Sequence, residues 1–596
     1  MIGMACELAN GIDAPQSYWN VLKNCIDVGS EIPKERFDVD SYASKFNSNK
    51  SFIRRGYFLN DNQLNNFDPS FFGITDGEAM IMDPCHRLLL KKVFHLIEDA
   101  NYTFDQIRGS RTAVYIGQFT NDHATTIHRT KIEDHTLMGP NISLYNASSR
   151  LSYYYDLLGP NLTLDTACSS SLQAIHLAVQ SLRNGEANLA VAGGANLNYT
   201  PETFFIASFI GAISPDGRSR SYSEDANGYA KGEGVGLVLL KRLSDAIRDK
   251  DKIYCVIRDV MASHDGNQGK TGYNVPSSHG QTILLNDIYM RSNIDPKNVF
   301  YIEGHGTGTQ VGDPIEANTL GAFFKRSRYD PPLFVGSVKS VIGHTEGTAG
   351  VASLIKIALC MKYRMITPNM NFTRPNRNIQ AMKYNLHIVN HLVQFPDELI
   401  TIGINSFGIG GNNAHAIITE WSEDYVNQYF PNNMNKIFLP IKQCSISFVN
   451  DAIAIQNEDK KFLEYFILTF SSKSDQSLKK HAEKFSTWLS TALAHVSQTS
   501  EKLFLSCLSE KILLKRTTNF SHRLSFLFSD SKQLQVQLES YLLNKTDCPS
   551  IIFPQEQIPI RHQANGNICF IYSGQGPQWW AMGRQLFFIE PKNENN

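Results

Sequence analysis

Along residues 161–185 the apolar positions change period within a few residues. Leu162 and Leu164 alternate as in a strand, DTACSSS (165–171) breaks the alternation, and Leu172, Ile175, Val179 and Leu182 follow at 3-4-3 spacing. That spacing predicts a helix with one buried face, and Asn184-Gly185 is a stop signal for it. Residues 188–198, NLAVAGGANLN, read as a buried strand, as do Val299–Ile302 and Leu333–Val335. AGVASLIKIALCM (349–361) is small and apolar nearly all round, which predicts a helix buried between layers. Strands alternating with helices predict a layered α/β domain. The pattern changes after Trp421: glycine is absent from 422 to 565, while Leu478, His481, Phe485 and Leu489 keep helical spacing and Leu524–Phe528 reads as a strand. This predicts a separate, smaller α/β region. A last apolar strand and Gly-rich turn, ICFIYSGQGPQWWAMGRQL (568–586), are followed by only ten more residues.

With 42% hydrophobic and 19% charged residues among 596, the composition is that of a globular protein, not a disordered tail, a collagen-like rod or a coiled coil. Fifty-six Lys and Arg against 57 Asp and Glu leave a net charge of -1, so bulk charge does not point to nucleic acid. No apolar run approaches the ~20 residues of a membrane span, and MIGMACELANG has no secretory pattern. The ten cysteines are scattered without a CxxC, which reads as reduced thiols in a cytoplasmic protein.

Three residues stand out chemically. Cys168 lies at a strand-to-helix turn among small residues, where the helix N-terminus is expected to stabilise a thiolate. His305, in EGHGTGT (303–309), follows a strand and is surrounded by glycines that bring backbone close and leave the ring free. His344, in GSVKSVIGHTEG (336–347), precedes the buried helix, whose N-terminus is expected to keep the imidazole neutral. Lys339 and Glu346 flank it, with a solvated ion pair as the plain alternative. NSFGIGGNNAH (405–415) predicts a tight loop with exposed N–H groups. Dinucleotide, P-loop and HExxH motifs are missing, and Cys and His are too dispersed for a zinc cluster, so no metal is expected. One cysteine can take an acyl group from a thioester, and two neutral imidazoles can stabilise an enolate oxygen. The set fits carbon–carbon bond formation better than hydrolysis, for which one general base is enough.

DTACSSSLQAIHLA, EGHGTGTQVGDPIE, VGSVKSVIGHTEGTAG and NSFGIGGNNAH resemble the signature blocks of β-ketoacyl synthase domains in polyketide synthases and animal-type fatty acid synthases. FDPSFFGITDGEAMIMDPCHRLLL (67–90) and SPDGRSRSYSEDANGYAKGEG (214–234) support the likeness. It spans residues 1–421. Residues 422–565 resemble the linker between synthase and acyltransferase, and 566–596 the opening of the acyltransferase. The resemblance implies a thiolase-like α/β/α/β/α fold of two similar halves, followed by a small α/β linker domain, and a homodimer. It implies Cys168 as the acyl acceptor. His305 and His344 would promote decarboxylation of a malonyl thioester, and Lys339 and Glu346 would support them. The N–H of Cys168 and one in the Phe407 loop would form an oxyanion hole, and Thr307 and Thr309 would contact pantetheine. Substrates would arrive as phosphopantetheine thioesters on an acyl carrier protein; no cofactor is expected in the chain itself.

The chain departs from the family in several places. Met1 falls inside the expected first strand, which predicts a clipped strand; Ile409 stands where a second aromatic is usual, and Val341 where KSNIGH has Asn. A GHSxG serine and an LGxDSL-like carrier site are lacking, so acyltransferase activity is expected to be supplied elsewhere. Three alternatives remain open. A thiolase would pair the nucleophile with a second cysteine where this chain has His344. A cysteine hydrolase would leave one histidine unexplained. A non-catalytic dimer would only bind a carrier protein.

Overall fold

The computed structural model describes residues 1–422 and 465–552, apart from 42–52, 131–137, 210, 495, 498–499, 517–519 and 544–550. The chain forms two compact units, Met1–Ile437 and Phe438–Asn596. The expected acyltransferase opening, 566–596, lies outside the described residues.

The first unit is built on two mixed sheets. One contains β1 (Gly3–Leu8), β2 (Thr112–Gln118), β3 (Asn161–Leu164), β4 (Leu189–Asn196) and β5 (Gly234–Lys241). They lie in the order β3-β2-β4-β5-β1. β3, β2 and β4 are parallel, and β5 and β1 join antiparallel. β1 pairs with β5 from Gly3 opposite Leu239 to Leu8 opposite Gly234. The second sheet contains β6 (Val256–His264), β7 (Val299–Glu303), β8 (Leu333–Gly336), β9 (Leu386–Ile388), β10 (Thr401–Phe407) and β11 (Asn412–Thr419). Their order is β9-β8-β7-β10-β11-β6. Without the edge strand β9, this repeats the first sheet strand for strand, including which neighbours are parallel. The two halves therefore share one topology.

Helices form the other three layers. α1 (Pro84–Asp99) covers the outer face of the first sheet, and α3 (Ser278–Ser292) and α4 (Gly312–Phe324) cover that of the second. α2 (Ser170–Arg183) and α5 (Ala349–Tyr363) lie between the sheets, inside the largest apolar core. Every residue of α5 from Ala349 to Met361 is buried, as its all-round apolar pattern predicts. A Cβ added at Gly350 would stand 2.6 Å from Leu172 Cβ and 2.8 Å from Leu172 N, so the two helices meet where α5 has no side chain.

In the second unit, β12 (Phe466–Ser472), β13 (His522–Phe528) and β14 (Ile551–Ile552) form an antiparallel sheet. α6 (Asp475–Leu493), α7 (Glu501–Lys515) and α8 (Ser531–Leu542) bury Leu478, Leu489, Leu505 and Leu538 against Phe470, Phe526 and Phe528. Among the described residues no helix is long and apolar enough to cross a membrane.

Gly350→Ala should destabilise the first unit by about 1–3 kcal/mol through overpacking of α2 against α5. Thermal melts of the two proteins test this; an unchanged melting temperature would show that the helices separate without cost.

Candidate active site

Cys168 and the two histidines come from different halves. β3 ends in a turn whose side chains hold its own backbone: Asp165 Oδ1 accepts the Ala167 N–H at 2.8 Å, and Ser170 Oγ accepts the Thr166 N–H at 2.9 Å. The turn forces Ala167 to φ +54°, a left-handed conformation that disfavours a Cβ. This strain sits beside the partly buried Cys168, two residues ahead of α2.

His305 follows β7. Its backbone is pinned by Glu316 of α4, which accepts the N–H groups of His305 (2.7 Å) and Gly306 (2.8 Å), the Tyr222 hydroxyl (2.9 Å) and the Asn405 amide (2.8 Å). Asp313, one turn earlier, accepts the N–H groups of Tyr222 (2.6 Å), Gly308 (3.1 Å) and Thr309 (3.3 Å). Burial pushes the Asp313 carboxyl up to about 7. Thr307 and Thr309 lie side by side on this loop, their hydroxyls 3.3 Å apart.

The last residues of β10 join the halves. Ser406 donates its hydroxyl to the Cys168 carbonyl at 2.8 Å, and the Phe407 N–H donates to His305 Nδ1 at 3.2 Å. The His305 and His344 rings meet edge to face, with centroids 5.4 Å apart. His344 Nδ1 in turn accepts the Glu346 N–H at 3.2 Å. With Nδ1 accepting in both rings, a neutral imidazole carries its proton on Nε2. His344 Nε2 is buried and has no partner among the described residues; the same holds for Lys339 Nζ.

The electrostatics follow from burial. Both histidines are held well below the usual imidazole range, first by burial and then by the Lys339 ammonium. His344 is thus neutral, as the sequence predicts, but burial rather than a helix terminus is the main cause. Burial also holds Lys339 below its usual value. Lys339 and Glu346 are not a solvated pair: both are buried, and Glu346 pairs with Lys231 at 2.6 Å. Asn196 also donates to Glu346, at 3.3 Å.

One expectation changes, and the loop donor is narrowed to a residue. Burial, followed by the Glu346 charge, pushes the Cys168 thiol up to about 11; an Ile409 N–H and the Lys339 and Lys231 charges act the other way. The resting group is a thiol, not a helix-stabilised thiolate. The Phe407 N–H is committed to His305, so the donor that this loop offers at the sulfur is Ile409. Sequence reasoning missed Lys231, Glu316, Asp313 and Ser406 as parts of the site. Asp313 and Glu316 had one signal, two acids at i, i+3 at the start of a helix that follows the HGTGT loop.

Because a thiol with a pKa of about 11 reacts only through its thiolate fraction, alkylation of Cys168 by iodoacetamide should quicken about tenfold per pH unit from about pH 7 to 10. A rate plateau near neutral pH would contradict this.

Comparison with known proteins places the sequence. Residues 1–246 match the model described as beta-ketoacyl synthase, N-terminal domain, and 254–373 its C-terminal domain. Residues 375–502 match the ketoacyl-synthetase C-terminal extension. The chain is 36% identical to fusarielin synthase FSL1 of Gibberella zeae over 99% of its own length and 22% of that protein. It is 37% identical to probable polyketide synthase 17 of Dictyostelium discoideum, over 99% of the chain and 21% of the relative. The chain thus spans about a fifth of these relatives. Among solved structures, the ketosynthase from module 6 of the bacillaene synthase of Bacillus subtilis 168 matches with a TM-score of 0.76 and 30% identity, over 92% of this chain and 86% of that one. The oxazolomycin ketosynthase domain OzmH KS7 of Streptomyces albus JA3453 matches with a TM-score of 0.78 and 28% identity, over 93% and 89%. Two similar halves in a thiolase-like fold, Cys168 on one and His305 and His344 on the other, together with these matches, show that the chain belongs to the β-ketoacyl synthase family, as a ketosynthase of the polyketide synthase kind.

Proposed function

We propose that this chain performs the decarboxylative condensation of polyketide synthesis, with Cys168, His305 and His344 as its catalytic residues. The observation that carries the reading is the proton position: backbone N–H groups on both Nδ1 atoms leave two Nε2–H donors. A hydrolase needs an imidazole that accepts a proton from its nucleophile or from water. Two fixed donors instead suit a developing oxyanion.

In the first step the Cys168 sulfur attacks an acyl thioester. The S–C bond to the pantetheine thiol breaks, the thiol proton passes to that leaving group, and the Ile409 and Cys168 N–H groups face the carbonyl oxygen. In the second step a malonyl thioester loses carbon dioxide, and the Nε2–H groups of His305 and His344 hold its thioester oxygen as the enolate forms. The enolate carbon then attacks the acyl-Cys168 carbonyl, forming a carbon–carbon bond and releasing the thiolate. Lys339, buried beside the histidines and without a hydrogen-bond partner among the described residues, adds positive charge to the same region. Glu346, fixed by Lys231, supports His344 through its backbone.

Thr307 and Thr309 are read as contacts for the pantetheine arm, delivered on an acyl carrier protein. The homodimer is read from β3, a sheet edge flanked by exposed Leu162, Leu158, Tyr153 and Tyr145. Residues 422–565 are read as the linker domain and 566–596 as the start of an acyltransferase. The cytoplasmic assignment rests on free thiols such as Cys6, Cys85 and Cys360. The binding-only alternative has no observation in its favour.

Intact-protein mass after incubation with acyl-pantetheine thioesters should show one acyl adduct in the wild type and none in Cys168→Ala. His305→Ala and His344→Ala should still load but lose malonyl decarboxylation by about 10²-fold or more. An adduct that persists in Cys168→Ala, or decarboxylation that survives both histidine changes, would overturn the reading.

A further inference from the structure

β10 and β11 pair so that Asn405 lies directly opposite His415. His415 is fully buried, and its ring occupies the space above Gly403, where a Cβ would stand 2.8 Å from Cε1 and 3.2 Å from Nε2. Its Nδ1 is 2.6 Å from Asn405 Oδ1, and its Nε2 is 3.4 Å from the hydroxyl of Tyr289 on α3. Burial pushes its imidazole down to about 3, so the ring is neutral.

The chemistry of the last acceptor sets the direction of this chain. Glu316 accepts from four donors, so the Asn405 amide must present its NH₂ to Glu316 and its oxygen to His415. His415 then carries its proton on Nδ1, and Nε2 accepts from Tyr289. Tyr289, His415 and Asn405 form one directed series of hydrogen bonds that ends on the carboxylate holding the His305 and Gly306 backbone. Asn405 is also followed by Ser406 and Phe407, which reach the Cys168 carbonyl and His305 Nδ1. A wrong orientation of the Asn405 amide would set its oxygen against Glu316 and loosen His305 at both its backbone and its ring.

We propose that His415 is a positioning residue for the condensing reaction: by fixing the orientation of Asn405 it holds His305 in place for decarboxylation. This rests on the function proposed above. The Cys168 turn touches this strand end through Ser406 but is also held by its own Asp165 and Ser170 bonds, whereas His305 depends on it at both backbone and ring, so decarboxylation should suffer more than loading.

The test measures acyl loading of Cys168 by intact mass and carbon dioxide release from malonyl-pantetheine, in the wild type, His415→Leu, His415→Asn and Asn405→Asp. Leu removes the donor. Asn keeps an N–H at the position of Nδ1. Asp is near-isosteric and faces Glu316 with a second carboxylate, which carries the same test should the Leu variant fail to fold. His415→Leu and Asn405→Asp should slow decarboxylation about 10²-fold and loading by less than about threefold, and His415→Asn should recover at least about tenfold of the loss. Equal loss of both half-reactions, loss of neither, or an Asn variant as slow as Leu would overturn the role. A wild type that loads but releases no carbon dioxide would instead overturn the condensing-enzyme reading, and the role of His415 with it.

Discussion

Two backbone N–H groups decide what this site can do. The Phe407 N–H on His305 Nδ1 and the Glu346 N–H on His344 Nδ1 place both imidazole protons on Nε2. A backbone donor cannot rotate away or change its protonation as a side chain can. The tautomer is therefore as firm as the strand and turn that carry these groups. Burial keeps both rings neutral, and Lys339 reinforces it. Neutral donors in a buried site act on a developing negative charge without reorganising, which is where such interactions are strongest.

The duplicated topology brings these groups together. Cys168 follows the third strand of the first half and His305 the second strand of the other, and α2 and α5 lie between the sheets in one shared core. Small residues let those helices meet, and Gly350 marks the contact with Leu172, four residues after Cys168. The end of β10 then ties Cys168 and His305 through adjacent residues, Ser406 and Phe407. Buried acids complete the frame. Glu316 and Asp313 hold the His305 loop, and the Lys231–Glu346 pair holds the turn after His344.

Much of this is legible in the sequence, because period and composition are local properties. The change from alternation to 3-4-3 spacing around Cys168 marks the strand–turn–helix, and the apolar run 349–361 marks the central helix. The motifs around Cys168, His305 and His344 carry the family. What is not legible depends on contacts between distant residues. Lys231 lies 115 positions from Glu346, and nothing in either segment announces the pair. The thiol at Cys168 runs against the local expectation, since a helix start alone favours the thiolate while burial, a property of the whole fold, outweighs it. Phe407 belongs to the right loop, but only the register of β10 against the His305 loop shows that its N–H serves the imidazole and leaves Ile409 to the sulfur.

The central claim is the proton position in two rings, and nitrogen NMR of histidine-labelled protein reads it directly. Long-range ¹H–¹⁵N correlation at neutral pH, assigned with single His305→Gln and His344→Gln variants, distinguishes Nε2–H, Nδ1–H and doubly protonated rings. The structure predicts that His305 and His344 are both neutral with the proton on Nε2. A proton on Nδ1 of either ring, or a charged imidazole, would contradict the account.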